Sequence, residues 1–202
     1  MPEVRIAAIV EGHGETEAVP ELVRRIALTI HLGFVPRVKP VLRLPANRLL
    51  RGNGIEDAVE HAARKLEGRG GILVLIDCDW SGACPAADGP RLLTRATAAR
   101  NDIPVAVVLA KQEFETWFLA AAESLRGVKG LLPDLAAPAA PERIRGAKEW
   151  LSARMQPGAS YAETTDQAAL AAEFDLEAAR RRSDSFDKCY REIRTLLERL
   201  RA

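Results

Sequence analysis

Acidic side chains close three apolar runs of this 202-residue chain. Residues 4–10 (VRIAAIV) lead into Glu11-Gly12-His13-Gly14-Glu15, and residues 72–76 (ILVLI) into Asp77-Cys78-Asp79. Residues 105–109 (VAVVL) lead, past Ala110, into Lys111-Gln112-Glu113-Phe114-Glu115. In an open α/β sheet the ligand crevice lies outside the carboxyl ends of the strands. A fold that gathers these three ends makes one acidic pocket, and such a pocket calls for a cation. Asp77 and Asp79, two residues apart on a strand, share a face while Cys78 points to the other. Paired carboxylates suit Mg2+ or Mn2+, which leave positions for water and substrate phosphate. Glu11, Asp77 and Asp79 are therefore expected to converge within reach of one ion. An isolated Asp-x-Asp also serves as a strand-end turn bonded to its own backbone.

The turn after the first run argues against two familiar phosphate sites. Gly12-x-Gly14 lacks the third glycine of GxGxxG, Glu17 standing in its place, and the chain has no P-loop GKS or GKT. A carboxylate at Glu11 repels bare phosphate unless a metal intervenes, so the metal reading gains. Glu15 and Glu17 read as first-turn acids that complement a helix dipole. His13 binds metal or phosphate, or is a solvated turn residue; Lys111 neutralises a phosphate, or is an exposed strand-end cation. Trp80 stacks a base or anchors a lid. Trp117, Phe118 and Trp150 fall on helical apolar stripes and read as packing. No chemistry is legible in the spacing of Tyr161 and Asp166.

The elements that must position these groups alternate between strand and helix periods, the signature of parallel βαβ units. A helix begins at Thr16 or Glu17, with Val19, Leu22, Val23, Ile26 and Ile30 on one face and Pro20 tolerated in its first turn. Residues 38–44 read as a strand demoted to an edge by Pro40. Ile55, Val59, Ala62, Ala63 and Leu66 mark a helix ended by Gly68 and the Gly70-Gly71 break. The wholly apolar run 72–76 reads as the central strand. A loop over 81–90 precedes a helix carrying Leu92, Leu93, Ala96 and Ala99. After the run at 105, Phe114, Trp117, Phe118 and Ala121 line another helix. A Gly/Pro/Ala stretch over 127–141 reads as a linker, and the remainder as helices over 147–154, 166–173, 176–182 and 186–200. The expected organisation is an α/β core over residues 1–126 and a linker with a helical C-terminal extension over 127–202.

Composition bounds the function further. Lys and Arg total 29 against 28 Asp and Glu, a net charge of +1, so bulk charge predicts neither non-specific nucleic-acid binding nor repulsion. Contact with nucleic acid or nucleotide would rest on local patches. Arg37, Lys39, Arg43, Arg48 and Arg51 form one; Arg180–Arg182, Arg191, Arg194, Arg199 and Arg201 interleave with acids and read as a solvated helix face. Cys78, Cys84 and Cys189 make neither an even disulfide set nor a metal clip, and the start carries no secretory pattern, so a reducing, cytoplasmic setting is expected. No apolar run approaches the ~20 residues of a membrane helix.

An apolar strand ending in Glu-Gly, a later strand ending in Asp-x-Asp and a further acid after the next strand resemble the Toprim domain of topoisomerases, primases, overcoming-lysogenization-defect nucleases and ribonuclease M5-type enzymes. More closely, Val10-Glu11-Gly12 with Glu15, Asp77-x-Asp79, Glu113-Phe114-Glu115-x-Trp117-Phe118, Tyr161, Asp166-Gln167 and Ser185-Phe186 resemble an uncharacterised bacterial family of Toprim-like proteins. The resemblance implies a Rossmann-like parallel sheet flanked by helices. It makes Glu11 a general acid or base or a metal ligand, Asp77 and Asp79 metal ligands, and Glu113 or Glu115 a further carboxylate of the site. With Lys111 beside it and Gly12, His13, Gly14 and Trp80 toward substrate, the implied activity is a Mg2+-dependent phosphodiesterase or nuclease in nucleic-acid processing or phage defence. A protein encoded nearby is a candidate partner. The competing reading is a non-enzymatic module that senses metal or nucleotide through the same acids; another is a nucleotidyl or phosphoryl transferase.

Overall fold

The computed structural model describes residues 3–66 and 69–201. The three apolar runs become strands β1 (Arg5–Val10), β3 (Gly70–Cys78) and β4 (Val105–Lys111), and the run broken by proline becomes β2 (Arg37–Arg43). All pair in parallel in the order β2-β1-β3-β4. Helices α1 (Glu15–Thr29), α2 (Ala46–Leu50), α3 (Gly54–Lys65) and α4 (Pro85–Ala99) supply or decorate the crossovers. After β4 come α5 (Thr116–Ala120), α6 (Ala147–Ser152), α7 (Glu163–Glu173), α8 (Leu176–Arg182) and α9 (Asp184–Arg201), with single 3-10 turns at Ala122–Leu125, Val128–Gly130 and Pro141–Arg143. The result is a Rossmann-like α/β fold.

Strand alternation sorts the core into two layers. Ile6, Ala8, Val10, Leu73, Leu75, Ala106 and Val108 pack with α1 and α9, whereas Ala7, Ile9, Ile72, Val74, Ile76, Val107 and Leu109 pack with α3 and α4. Cys78 joins the second layer, where burial pushes its thiol up to about 12 and leaves it inert. β2 sits at the edge as Pro40 demanded: Lys39 and Pro40 bulge opposite Ala7, where the missing N–H costs the sheet nothing. β1 and β3 are the inner strands, buried on both faces.

Three local expectations differ from the structure. Helix α1 starts at Glu15, which moves Pro20 into the second turn. The loop expected over 81–90 is shorter, because Pro85 is preorganised for a first helical turn and Asp88 accepts the Cys84 N–H at 2.9 Å. Gly70 and Gly71 do not terminate a helix but open β3; a Cβ on Gly71 would lie 2.8 Å from the Leu196 side chain of α9. Gly68, assigned as the helix terminator, lies outside the described residues. The 127–141 stretch packs closely, with Leu131 and Leu135 buried in the α1/α9-side core and Leu131 bridged to Met155. The aromatic cluster of Phe114, Trp117, Phe118, Phe174 and Phe186, centroids 4.8–5.5 Å apart, ties α5 to the α7–α8 junction and α9. No helix among the described residues is long and apolar enough to cross a membrane.

Candidate functional site

The strand order sets the site. From β1 the chain crosses to β2 on one side, then returns past β1 to β3 on the other, so the crossovers diverge between β1 and β3. That switch point is where open α/β sheets bind ligands. Glu11 leaves the end of β1, and Asp77 and Asp79 the end of β3, on either side of it.

Asp77 is the centre of a set of carboxyls. Its Oδ1 accepts the Phe114 N–H at 2.8 Å, which fixes the β4–α5 turn over the acid. Burial raises its proton affinity well above the ordinary aspartate range, and the charges of Glu15, Glu115 and Glu11 raise it further. Glu11 is half-buried; burial, then the Asp79 charge, shifts it upward, opposed by nearby backbone N–H groups. Asp79 is exposed at the mouth.

Two acids form the inner wall. Glu15, 2% exposed, curls back so that its Oε2 accepts the N–H groups of Glu11 (2.8 Å) and Gly12 (3.0 Å), holding the turn that presents Glu11. Glu115, fully buried, accepts the Tyr161 hydroxyl at 2.9 Å and the Gln167 amide at 3.2 Å on Oε1, with Lys148 Nζ at 3.9 Å. Burial pushes both up to about 7, Lys148 and Tyr161 pulling Glu115 partly back. Burial alone would lower Lys148, but Glu115 and Glu163 more than reverse it, so it stays charged. Its Nζ bonds Glu163 at 2.7 Å.

The set is short of positive charge and of donors. Among the described residues, buried Glu11 Oε2, Glu115 Oε2 and Gln167 Oε1 have no hydrogen-bond partner. Thr116 Oγ1 is a fourth; such buried oxygens are uncommon in folded proteins, and each calls for a partner, an ordered water or an ion among them. Glu11, Asp77 and Asp79 nonetheless do not form a ready-made cage: no three Asp, Glu, His or Cys side chains among the described residues are grouped as metal ligands. In kind the donors fit Mg2+ or Mn2+, being oxygen only and including two orphaned carboxylate oxygens.

The remaining sequence candidates are dispersed. Glu113 accepts the Gly146 and Ala147 N–H groups at 3.1 and 3.2 Å and so caps α6 instead of facing Asp77. Gln112, in a left-handed conformation (φ 68°), turns the chain so that Glu115 and not Glu113 enters the cluster. Lys111 pairs in register with Cys78, hence on the face opposite Asp77, and its Nζ meets Glu142 at 3.6 Å. His13 is exposed at the rim. Gly14 has a packing reason for being glycine, since a Cβ would strike Gln167 Oε1 and the Glu163 carbonyl of α7. Gly12 is open enough that a Cβ would meet only the Glu15 carboxyl, 3.7 Å away. Trp80 packs on the α3/α4-side core and lines the cleft with Glu11 and Asp79.

Lys148, Tyr161 and Gln167 escaped the sequence reading of the site, as did the inward role of Glu15. Glu15, Tyr161 and Gln167 stood among the motifs of the family resemblance without a role in the site, and Lys148 had no signal beyond the need of so many carboxyls for donors. Comparison with known proteins adds one match: residues 10–194 match the model of a domain of unknown function, DUF4276. No curated protein and no solved structure matches the chain.

Proposed function

The chain belongs to the DUF4276 family, and from that premise, with its chemistry to be read from its own site, we propose that it is a Mg2+- or Mn2+-dependent phosphodiesterase of Toprim type acting on nucleic acid. The observation that carries the reading is the switch-point cluster, where Glu11, Asp77 and Glu115 hold more negative charge and more unbonded oxygen than Lys148 offsets. Asp77, Asp79 and Glu11 are the residues that would hold the ion. When bound, the ion would supply charge neutralisation at the phosphate and activation of water. Glu15 keeps the Glu11 turn in place through two backbone bonds. Glu115, steadied by Tyr161 and Gln167, backs Asp77 from within, and Lys148 limits the repulsion between them. Glu11, whose proton affinity burial raises above the ordinary glutamate range, is the acid at the cleft placed to take or give a proton. Lys111, turned to the other face, has no part in this scheme.

The test is cleavage of bis-p-nitrophenyl phosphate and of labelled single-stranded DNA, duplex DNA and RNA with Mn2+. Chelation is expected to abolish turnover, and Glu11→Gln and Asp79→Asn each to lower it by roughly 10²–10⁴-fold. Ligand binding without turnover under any metal would replace this reading with that of a sensing module.

A further inference from the structure

Outside the acids, the switch point opens into a cleft of about 430 Å3 whose walls include Glu11, Asp79, Trp80, Asn47 and Arg51. Its size falls in the ~300–1,000 Å3 range of sites for small ligands or single monomer units. The positive charge nearby is mostly committed: Lys148 bonds Glu163, and Lys111 faces Glu142. Arg51 differs. It is exposed, and its guanidinium makes no ion pair or hydrogen bond among the described residues, although Glu11 and Asp79 line the same cleft. A guanidinium held off from two acids leaves room for an anion that both sides can grip, the acids through a cation and the arginine directly. Trp80 lines the same cleft and packs on the α3/α4-side core, which restrains its indole. Indole faces stack nucleobases without regard to sequence.

We propose that this cleft seats one nucleotide of single-stranded nucleic acid, with Arg51 on the phosphate and Trp80 stacked on the base. Asn47, exposed on the same cleft, offers amide donors and an acceptor to the sugar or base edge. Past Asn47 and Arg51 a second open cleft of about 620 Å3 carries Arg48 and His61 and extends the track for a neighbouring phosphate. The proposal rests on the phosphodiesterase reading and names its substrate class.

The experiment uses the whole chain and fluorescein-labelled decamers of thymidylate and uridylate, with a duplex of the same length, in Ca2+. Anisotropy is expected to show binding of a single strand in preference to duplex, and the two decamers distinguish deoxyribose from ribose. Arg51→Ala and Trp80→Ala are each expected to weaken binding about tenfold or more, while Trp80→Phe, which keeps an aromatic face, retains most of it. Binding should quench tryptophan fluorescence in the parent and not in Trp80→Phe. Failure of the parent to bind, duplex bound as tightly as single strand, or variants that bind like the parent would overturn the proposal. The thermal response to Mn2+, which neither variant should alter, separates the two levels. A parent stabilised by Mn2+ that fails the oligonucleotide arms sinks only the substrate class; a parent without that response takes down both.

Discussion

Replacing Asp77 by asparagine tests the metal site most directly. Asp77 lies where the fields of Glu15, Glu115 and Glu11 meet, and its Oδ1 receives the Phe114 N–H at 2.8 Å. Asparagine keeps an acceptor for that N–H at nearly the same volume and removes one buried charge from a crowded set. The metal-free variant should therefore fold as well as the parent or slightly better, since the Phe114 N–H keeps its acceptor and repulsion among the acids falls. The metal response should behave in the opposite way. An ion present at 100 times its dissociation constant, binding only the folded state, stabilises by about 2.7 kcal/mol. In a chain of this length each kcal/mol moves the midpoint by roughly 2–4 °C, so the parent should rise by roughly 5–11 °C. The assay is thermal unfolding at pH 7.5 with EDTA, Mg2+ or Mn2+, paired with titration calorimetry. A variant that responds to either ion as the parent does would refute the assignment of Asp77, and a parent without any response would refute the site.

The metal-free parent should become less stable as pH rises. Glu15 and Glu115, pushed up to about 7, bind protons more tightly folded than unfolded, so stability is lost from the ordinary carboxylate range near 4.5 up through about 7. The loss is on the order of 3 kcal/mol per carboxyl, read by urea unfolding between pH 5 and 8; a rise through that window would show the acids to be ionised and satisfied. Metal affinity should climb over the same interval as the ligands lose protons. Lys148→Met should cost about 1–2 kcal/mol at pH 8 and less at pH 5, where Glu115 holds its proton; equal costs at both would mean Lys148 acts only through packing. Gly14→Ala should cost about 1–3 kcal/mol by overpacking against α7, and a midpoint unchanged in calorimetry would show that α7 yields.

The strands and the switch point were legible because a buried parallel strand has no alternative to an unbroken apolar run, and two of the runs here stop directly at an acid, Glu11 and Asp77. That is why these two could be singled out as candidates. The choice between Glu113 and Glu115 was not legible: they stand two residues apart in a turn whose direction depends on Gln112 and on where α6 arrives to be capped. Glu15 looked like any acid in a first helical turn, and nothing local says that its side chain turns back to the strand end. Lys148, Tyr161 and Gln167 reach the cluster through packing of α6 and α7, which no spacing in their own segments records. The 81–90 loop was overdrawn because Gly and Pro were read as breakers where Pro85 in fact starts a helix.

The inner wall of the cluster comes from segments far apart in the order of synthesis. Glu11 and Glu15 leave the ribosome early, Asp77 and Glu115 later, and Tyr161 and Gln167 only with the last fifth or so of the chain, domains forming from the N-terminal side. Until α7 docks against Gly14, the inner carboxyls stand in water and behave as ordinary acids, charged and well hydrated. A nascent chain can thus gather its sheet without the cost of dehydrating these acids. Their unusual hold on protons comes only once α7 has packed.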